Sequence, residues 1–174
     1  MTVAQIKHQL ALSMNGICAE AIRRSTLGYA KTLGVDWVRI REIASEFEKD
    51  YCISDELWHS DVREHKLIAT LLCPPAEMTV DRMHEWLEGV TNSELAEILS
   101  FALLSRTPDL APELIKTMES PNPLHRLTAC LALGRMHNFS TCISDDTLLY
   151  IRGHINPDDR QNPLFVHAIQ SLEQ

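Results

Sequence analysis

Apolar residues recur along this chain at intervals of three and four, which is the period of an amphipathic helix. Asp36 follows a break at Gly34 and is predicted to cap the first clear example at its N-terminus. One stripe of that helix carries the apolar residues Trp37, Ile40, Ile43, Ala44 and Phe47. No run of residues alternates convincingly with period two, so the pattern predicts an all-α protein.

The start and stop signals of further helices follow the same pattern. Asp61 and Glu64 have the Asp-x-x-Glu spacing of a capping box, and the apolar helix that follows should stop at Pro74-Pro75. Thr79 is predicted to cap a helix that ends near Gly89.

Later in the chain, Thr91 and Glu94 again have capping-box spacing. A shorter helix is predicted over residues 112–118. Two more helices should start at the Asn-Pro-Leu sequences that begin at Asn122 and Asn162, because Asn caps well and Pro suits the first helical turn.

Comparable helix starts lie at Asp61, Asn92, Asn122 and Asn162, at spacings of 31, 30 and 40 residues. Residues 64–72 also resemble residues 124–132 position by position. A helical pair that recurs at this interval is typical of a stacked repeat array. We therefore predict a HEAT-like α-solenoid of about five to six antiparallel helix pairs, as a single domain over residues 1–174. An irregular helical bundle is the alternative.

Composition narrows the class of protein. The chain has 174 residues, 45% of them hydrophobic and 23% charged, which is ordinary for a globular domain. Five cysteines without any CxxC pair are typical of reduced thiols. There is no apolar run of 18 residues and no signal-peptide pattern over residues 1–13, so we expect a cytoplasmic protein without a membrane partner.

The net charge of −8 is unevenly distributed. Residues 1–66 hold nine Lys/Arg against ten Asp/Glu, whereas residues 67–174 hold seven against fourteen. Because phosphate contacts need cations, the first half should lead in any contact with nucleic acid. The candidate phosphate contacts are Arg23, Arg24, Lys31, Arg39, Arg63 and Lys66.

Two stretches carry a family resemblance. Residues 34–45 (Gly-Val-Asp-Trp-Val-Arg-Ile-Arg-Glu-Ile-Ala-Ser) precede residues 57–72, which begin Leu-Trp-His-Ser and continue through Glu64. Together they resemble the DNA alkylation repair family of HEAT-like proteins, the AlkD-like glycosylases. The segment Asn15-Gly-Ile, with Tyr29 ahead of Gly34, looks like the start of compact bacterial members. The resemblance implies binding of double-stranded DNA in a concave groove and excision of alkylated purines.

The resemblance also implies site residues. In that family an Asp, tryptophans and an Arg line the site. The matching positions here give Glu97 for the carboxylate and Arg126 for the arginine, as candidate catalytic residues. The two tryptophan positions fall on Ser93 and Ser171. A carboxylate stabilises positive charge that develops on the sugar as the base leaves, so the enzymatic prediction depends on Glu97.

Other chemistry is not indicated by the sequence. Asp61 and His65 have metal-binding spacing on a helix but lack a third ligand, and His84-Glu85 lacks the second histidine of HExxH. No Gly-rich phosphate loop occurs, so neither a metal nor a nucleotide cofactor is expected. Trp37 and Trp58 are interpreted as packing residues. The alternative function is a scaffold that binds a protein or peptide without catalysis, which the acidic second half and the missing tryptophans favour.

Overall fold

The computed structural model describes residues 2–139 and 143–173, and these residues are helical without any β-strand. An isolated bridge between Lys31 and Val62 is the exception to helix and loop. Four short 3₁₀ turns lie at Pro75–Glu77, Leu104–Arg106, Pro108–Leu110 and Pro163–Phe165. The α-helices of the described residues are α1 (Val3–Leu12), α2 (Gly16–Arg23), α3 (Trp37–Ser45), α4 (Tyr51–Trp58), α5 (Arg63–Leu72), α6 (Val80–Glu88), α7 (Ser93–Ala102), α8 (Ala111–Thr117), α9 (Pro123–Phe139), α10 (Asp145–Gly153), α11 (Pro157–Arg160) and α12 (Val166–Glu173).

The chain divides into two compact units, an N-terminal unit (Met1–Glu77) and a C-terminal unit (Met78–Gln174). In the N-terminal unit, α5 packs against α3 and α4, and α1 also contacts both of those helices. The fully buried side chains of this unit include Ile6, Leu10, Ile40, Ile43, Leu57, Trp58, Leu67 and Ile68. Trp58 is therefore a core residue, as predicted. The single domain over residues 1–174 stays a prediction.

A buried carboxylate organises the loop between α2 and α3. Glu64, on the first turn of α5, accepts hydrogen bonds from the Thr32 hydroxyl at 2.8 Å and from the Leu33 and Gly34 amides at 2.8 and 3.0 Å. The Arg63 guanidinium lies 3.0 Å from the same carboxylate. Glu64 is completely buried, so it fixes this loop in place of capping its own helix.

Gly34 is required by the same loop. Its φ angle is +73°, and a Cβ atom built there would lie 2.2 Å from the backbone oxygen of Asn15 and 2.4 Å from the Ala19 nitrogen. A side chain would therefore clash with the start of α2 as well as strain the backbone. The Asn15 amide also donates to the Leu33 carbonyl at 2.9 Å, which joins the loop to that helix.

In the C-terminal unit, α9 is the central helix and packs against α7, α8 and α12. The fully buried residues of the C-terminal unit include Met83, Trp86, Leu95, Leu99, Leu114, Ala129, Leu133, Ile151 and Leu172. Ser100 on α7 adds a polar link, because its hydroxyl donates to the Thr128 carbonyl of α9 at 2.8 Å. The periodic apolar stripes of the sequence therefore fill this core as predicted.

Most predicted helix starts are confirmed. The side chains of Asp36, Thr79, Asn122 and Asn162 each accept a hydrogen bond from a backbone amide at the start of the following helix or turn. The Asn162 segment first forms a 3₁₀ turn and then enters α12.

Two predicted capping boxes are wrong. Val62, not Asp61, is the N-cap of α5, because the Glu64 carboxylate is turned towards residues 32–34. Asn92, not Thr91, caps α7 and accepts from the Leu95 amide at 3.0 Å.

The cysteines divide into two classes. Cys73 and Cys130 are buried, whereas Cys18 and Cys52 are exposed, and all four are free thiols. Burial raises the pKa of the Cys130 thiol to about 12, which keeps it protonated and unreactive. Cys142 lies outside the described residues.

Candidate functional site

The predicted phosphate contacts on α2 are exposed arginines that share one carboxylate. Arg23 and Arg24 each lie 2.8 Å from a different oxygen of Glu20, one turn earlier on the helix. The hydrogen bond from Arg23 is the main cause of the lowered pKa of Glu20. Because two cations share one anion, the group keeps a positive charge of one that can meet a phosphate.

Two further candidates are also paired with carboxylates: Lys31 is exposed and Arg39 is half-exposed. The Lys31 ammonium lies 2.6 Å from Asp61, and its hydrogen bond lowers the pKa of that carboxyl. Arg39 lies 3.0 Å from Glu42 and donates to the Ser13 hydroxyl at 3.1 Å. Exposed pairs of this kind contribute about 0–1 kcal/mol, so each cation can exchange its carboxylate for a phosphate at little cost.

The remaining two N-terminal candidates have a different environment. Arg63 is buried, with its guanidinium donating to the Val35 carbonyl at 3.1 Å as well as to Glu64. Lys66 is half-buried over the Trp58 ring, 4.8 Å from its centroid, and desolvation lowers its pKa. The geometry favours an architectural role for Arg63, in place of the phosphate contact expected from the sequence.

Arg126 is also committed to internal partners. It donates from Nε and Nη2 to the two oxygens of Asp159 at 2.6 and 2.7 Å. Its Nη1 donates to the carbonyls of Ser120 and Pro121 at 2.8 and 3.2 Å. Both side chains of the ion pair are nearly buried, so Arg126 ties α9 to α11 and has little capacity left for a substrate. This arrangement favours a structural role for Arg126, which holds α9 to α11, over the predicted catalytic role.

Glu97 occupies a different setting. It is exposed on α7 and lines a cleft of about 230 Å³ formed by α7, α9 and the segment leading into α12. The other lining residues are Ser93, Leu127, Leu131, Pro163, Leu164 and His167. The wall is largely apolar, with one carboxylate, one hydroxyl and one imidazole. Arg126 is not among these lining residues.

The cationic neighbour of Glu97 is Arg135. It follows Leu127 and Leu131 at four-residue spacing on α9, and its guanidinium carbon lies 4.0 Å from the ring centroid of Phe101. Burial lowers the pKa of Arg135, and the charge of Glu97 partly offsets that effect. Arg135 is not among the residues that line the cleft, so its link to Glu97 is through charge alone.

The sequence matches a known family over most of its length. The family model described as "DNA alkylation repair enzyme" matches residues 6–156. The chain belongs to the DNA alkylation repair enzyme family. A search of curated proteins found no significant match.

A solved structure supports the fold assignment. It belongs to a protein described as part of "a new family of proteins related to the HEAT-like repeat DNA glycosylases with affinity for branched DNA structures". The two folds agree with a TM-score of 0.81 at 14% sequence identity, over 99% of this chain and 74% of the other. The predicted HEAT-like helical fold is therefore confirmed, and so is the family resemblance.

The motif residues that carried the resemblance are structural in this family member. Gly34, Trp58 and Glu64 respectively form a close backbone contact, fill the core and bind the inter-helix loop. They identify the fold and are not among the residues that line the Glu97 cleft. The family motif therefore says little by itself about catalysis.

Sequence reasoning missed two residues near Glu97. His167 lines the cleft one turn before Ser171, the position predicted for an aromatic residue. Arg135 carries a charge that interacts with that of Glu97. The signal for Arg135 was its spacing from Leu127 and Leu131 along one helix face.

No metal site is formed by the described residues, since no three His, Cys, Asp or Glu side chains are grouped closely enough. Within the same residues, no helix is long and apolar enough to cross a membrane.

Proposed function

We propose that this family member binds DNA, with a preference for branched or damaged duplexes. The observation that carries the proposal is the family match over residues 6–156, together with a fold shared with a protein of stated affinity for branched DNA. The exposed cations of the N-terminal unit supply the chemistry for phosphate contact. The proposal assigns that role to Arg23, Arg24, Lys31 and Arg39.

The surface ion pairs of these cations suit reversible binding. Glu20, Asp61 and Glu42 hold the side chains near the surface and keep the free protein close to neutral locally. Since exposed pairs are weak, a DNA phosphate displaces the carboxylate and releases counterions. Affinity should therefore fall steeply with added salt.

DNA binding is tested by fluorescence anisotropy with a labelled four-way junction and the matched linear duplex. A variant with Ala at Arg23, Arg24, Lys31 and Arg39 should bind both DNAs at least tenfold more weakly, because four phosphate contacts are lost. Lys49→Ala removes an exposed cation of the same unit and serves as the control. If the control and the fourfold variant lose DNA affinity equally, the four assigned cations do not form the DNA-binding surface. Absence of DNA binding by the unmodified protein would favour the protein-binding scaffold.

The Glu97 cleft supports a second candidate function, excision of a cationic alkylated purine. In that reaction the bond between C1′ and the base nitrogen breaks, its electron pair neutralises the base, and water adds to C1′ and releases a proton to solvent. Glu97 would stabilise the positive charge on the sugar, and the apolar wall would strengthen that attraction. The cleft has no tryptophan, so cation–π support of the base is missing among its lining residues.

Excision is tested by release of methylated bases from alkylated duplex DNA under single-turnover conditions. Glu97→Gln should lower the rate by about 10²–10³-fold if the carboxylate provides the main electrostatic stabilisation. Glu94→Gln, on the same helix, is the matched control. Release that is insensitive to Glu97→Gln would remove this residue from the mechanism, and no release at all would limit the function to DNA binding.

We also propose a cytoplasmic location for the protein. The described cysteines are free thiols, as expected in a reducing compartment. Fractionation of cells that express a tagged full-length chain would test this assignment.

A further inference from the structure

A second cavity lies in the C-terminal unit, between α6, α8 and the start of α9. Its volume is about 180 Å³, below the range of about 300–1,000 Å³ typical of drug-sized pockets, so it suits one small group. The residues that line it are His84, Leu87, Glu113, Lys116, Thr117, Ser120 and His125. None of these residues belongs to the Glu97 cleft.

His125 lines this cavity and carries an unsatisfied ring nitrogen. The residue is more than nine-tenths buried, and within the described part of the chain its Nε2 atom has no hydrogen-bond partner. Its Nδ1 atom lies 3.5 Å from the Ser120 hydroxyl, which accepts from the Asn122 amide at 3.2 Å. We assign the hydroxyl proton to the Ser120–His125 contact, which places the ring proton on Nε2. A buried donor of this kind is costly unless a ligand accepts from it.

The opposite chemistry is supplied by Glu113. Its carboxylate lies 2.8 Å from the Lys116 ammonium and 3.1 Å from His84 Nε2. Both hydrogen bonds lower the pKa of Glu113, and the one from Lys116 has the larger effect. The carboxylate is therefore ionised, with lone pairs left to accept further hydrogen bonds. Because Lys116 offsets its charge, the cavity does not require a charged ligand.

The repeat in the sequence shows which part of this arrangement is architectural. Ser60 and His65, sixty residues earlier, form the same pair in the N-terminal unit, with a 2.8 Å distance between hydroxyl and Nδ1. The positions that correspond to Glu113 and Lys116 are Ile53 and Glu56. The Ser–His pair thus belongs to the repeat, whereas the carboxylate and its cation occur only in the second copy.

We propose that this cavity binds one unpaired nucleobase of the DNA. A carbonyl oxygen or ring nitrogen of the base accepts from His125 Nε2, an adjacent ring N–H or amino group donates to Glu113, and Leu87 provides an apolar contact. Guanine presents its O6 acceptor beside the N1–H and 2-amino donors of its pairing edge, so one carboxylate can accept from both donors; cytosine and adenine offer a ring-nitrogen acceptor beside a single amino donor. The inference rests on the proposed DNA binding and would explain a preference for branched DNA, whose junctions expose unpaired bases.

The ligand class is tested with the full chain labelled at histidine nitrogens for NMR. Guanosine monophosphate should shift the His125 Nε2 signal saturably, and Glu113→Gln should weaken that binding about tenfold, the order for one charge-assisted hydrogen bond. Inorganic phosphate should leave the signal unchanged. An equal response to phosphate would overturn the base assignment, and so would no response to the nucleotide.

The role in DNA binding is tested with a duplex that carries one bulged guanine, against the same duplex with an abasic bulge. Glu113→Gln should reduce the preference for the guanine bulge about tenfold, while Glu119→Gln removes an exposed charge nearby and should not. A preference that survives in Glu113→Gln contradicts the inference. If the unmodified protein binds no duplex at all but guanosine monophosphate still shifts its His125 signal, only the proposed DNA function is refuted.

Discussion

Replacing Glu64 tests the interpretation that a buried carboxylate organises the N-terminal unit. Glu64→Ala removes the partner of the Leu33 amide and of the buried Arg63 guanidinium, while the Gly34 amide keeps the Thr32 hydroxyl at 3.2 Å. An orphaned buried amide costs about 1–3 kcal/mol, and breaking a buried ion pair costs about 3–5 kcal/mol. Because Arg63 keeps the Val35 carbonyl, we expect a total loss of about 3–5 kcal/mol.

That loss is a large part of the stability of an ordinary domain, about 5–15 kcal/mol. Urea unfolding followed by circular dichroism should show it directly, with a fall in Tm of about 10 °C in a parallel thermal scan. Glu56→Ala is the control, because its pair with Lys7 is exposed and long at 3.6 Å. If Glu64→Ala changes the free energy of unfolding by less than about 1 kcal/mol, the carboxylate is not an organising group.

Three further predictions concern single residues. Gly34→Ala should destabilise the chain by more than about 1 kcal/mol, because its Cβ would meet Asn15 at 2.2 Å; a thermal scan with an unchanged Tm would contradict this. Arg126→Met should lower the free energy of unfolding by about 3–5 kcal/mol by leaving Asp159 unpaired, and a purely catalytic Arg126 would instead leave urea unfolding unaffected. Cys130 should resist alkylation at pH 8 in the native state, since burial raises its pKa to about 12, and rapid modification detected by peptide mapping would refute this.

The fold was predictable because its signals are local. Apolar residues at helical spacing marked the buried Ile40 and Ile43 of α3 and the buried face of α5, although Trp37 and Ala44 of the same stripe are only half-buried. Asp36 and Thr79 marked helix starts that the structure confirms. A capping box was less reliable, since it assumes that a carboxylate serves its own helix. Glu64 serves a loop thirty residues earlier, which no local rule anticipates.

The candidate site was less predictable because it depends on which helix faces meet. Placing Glu97 required only the family motif, but its neighbours His167 and Arg135 come from α12 and α9. Arg126 matched the motif by type and approximate position, yet Asp159, thirty-three residues later, occupies its guanidinium. Charge and sequence position do not reveal whether a cation is free to meet DNA.

The central claim, that exposed cations of the N-terminal unit bind DNA phosphates, is tested most directly by the salt dependence of binding to a four-way junction. Four phosphate contacts, from Arg23, Arg24, Lys31 and Arg39, predict that log K falls against log salt concentration with a slope of about −3 to −4. The variant with Ala at all four positions should show a slope near zero. An equal slope in both proteins, or no binding of the unmodified protein even at low salt, would contradict the account.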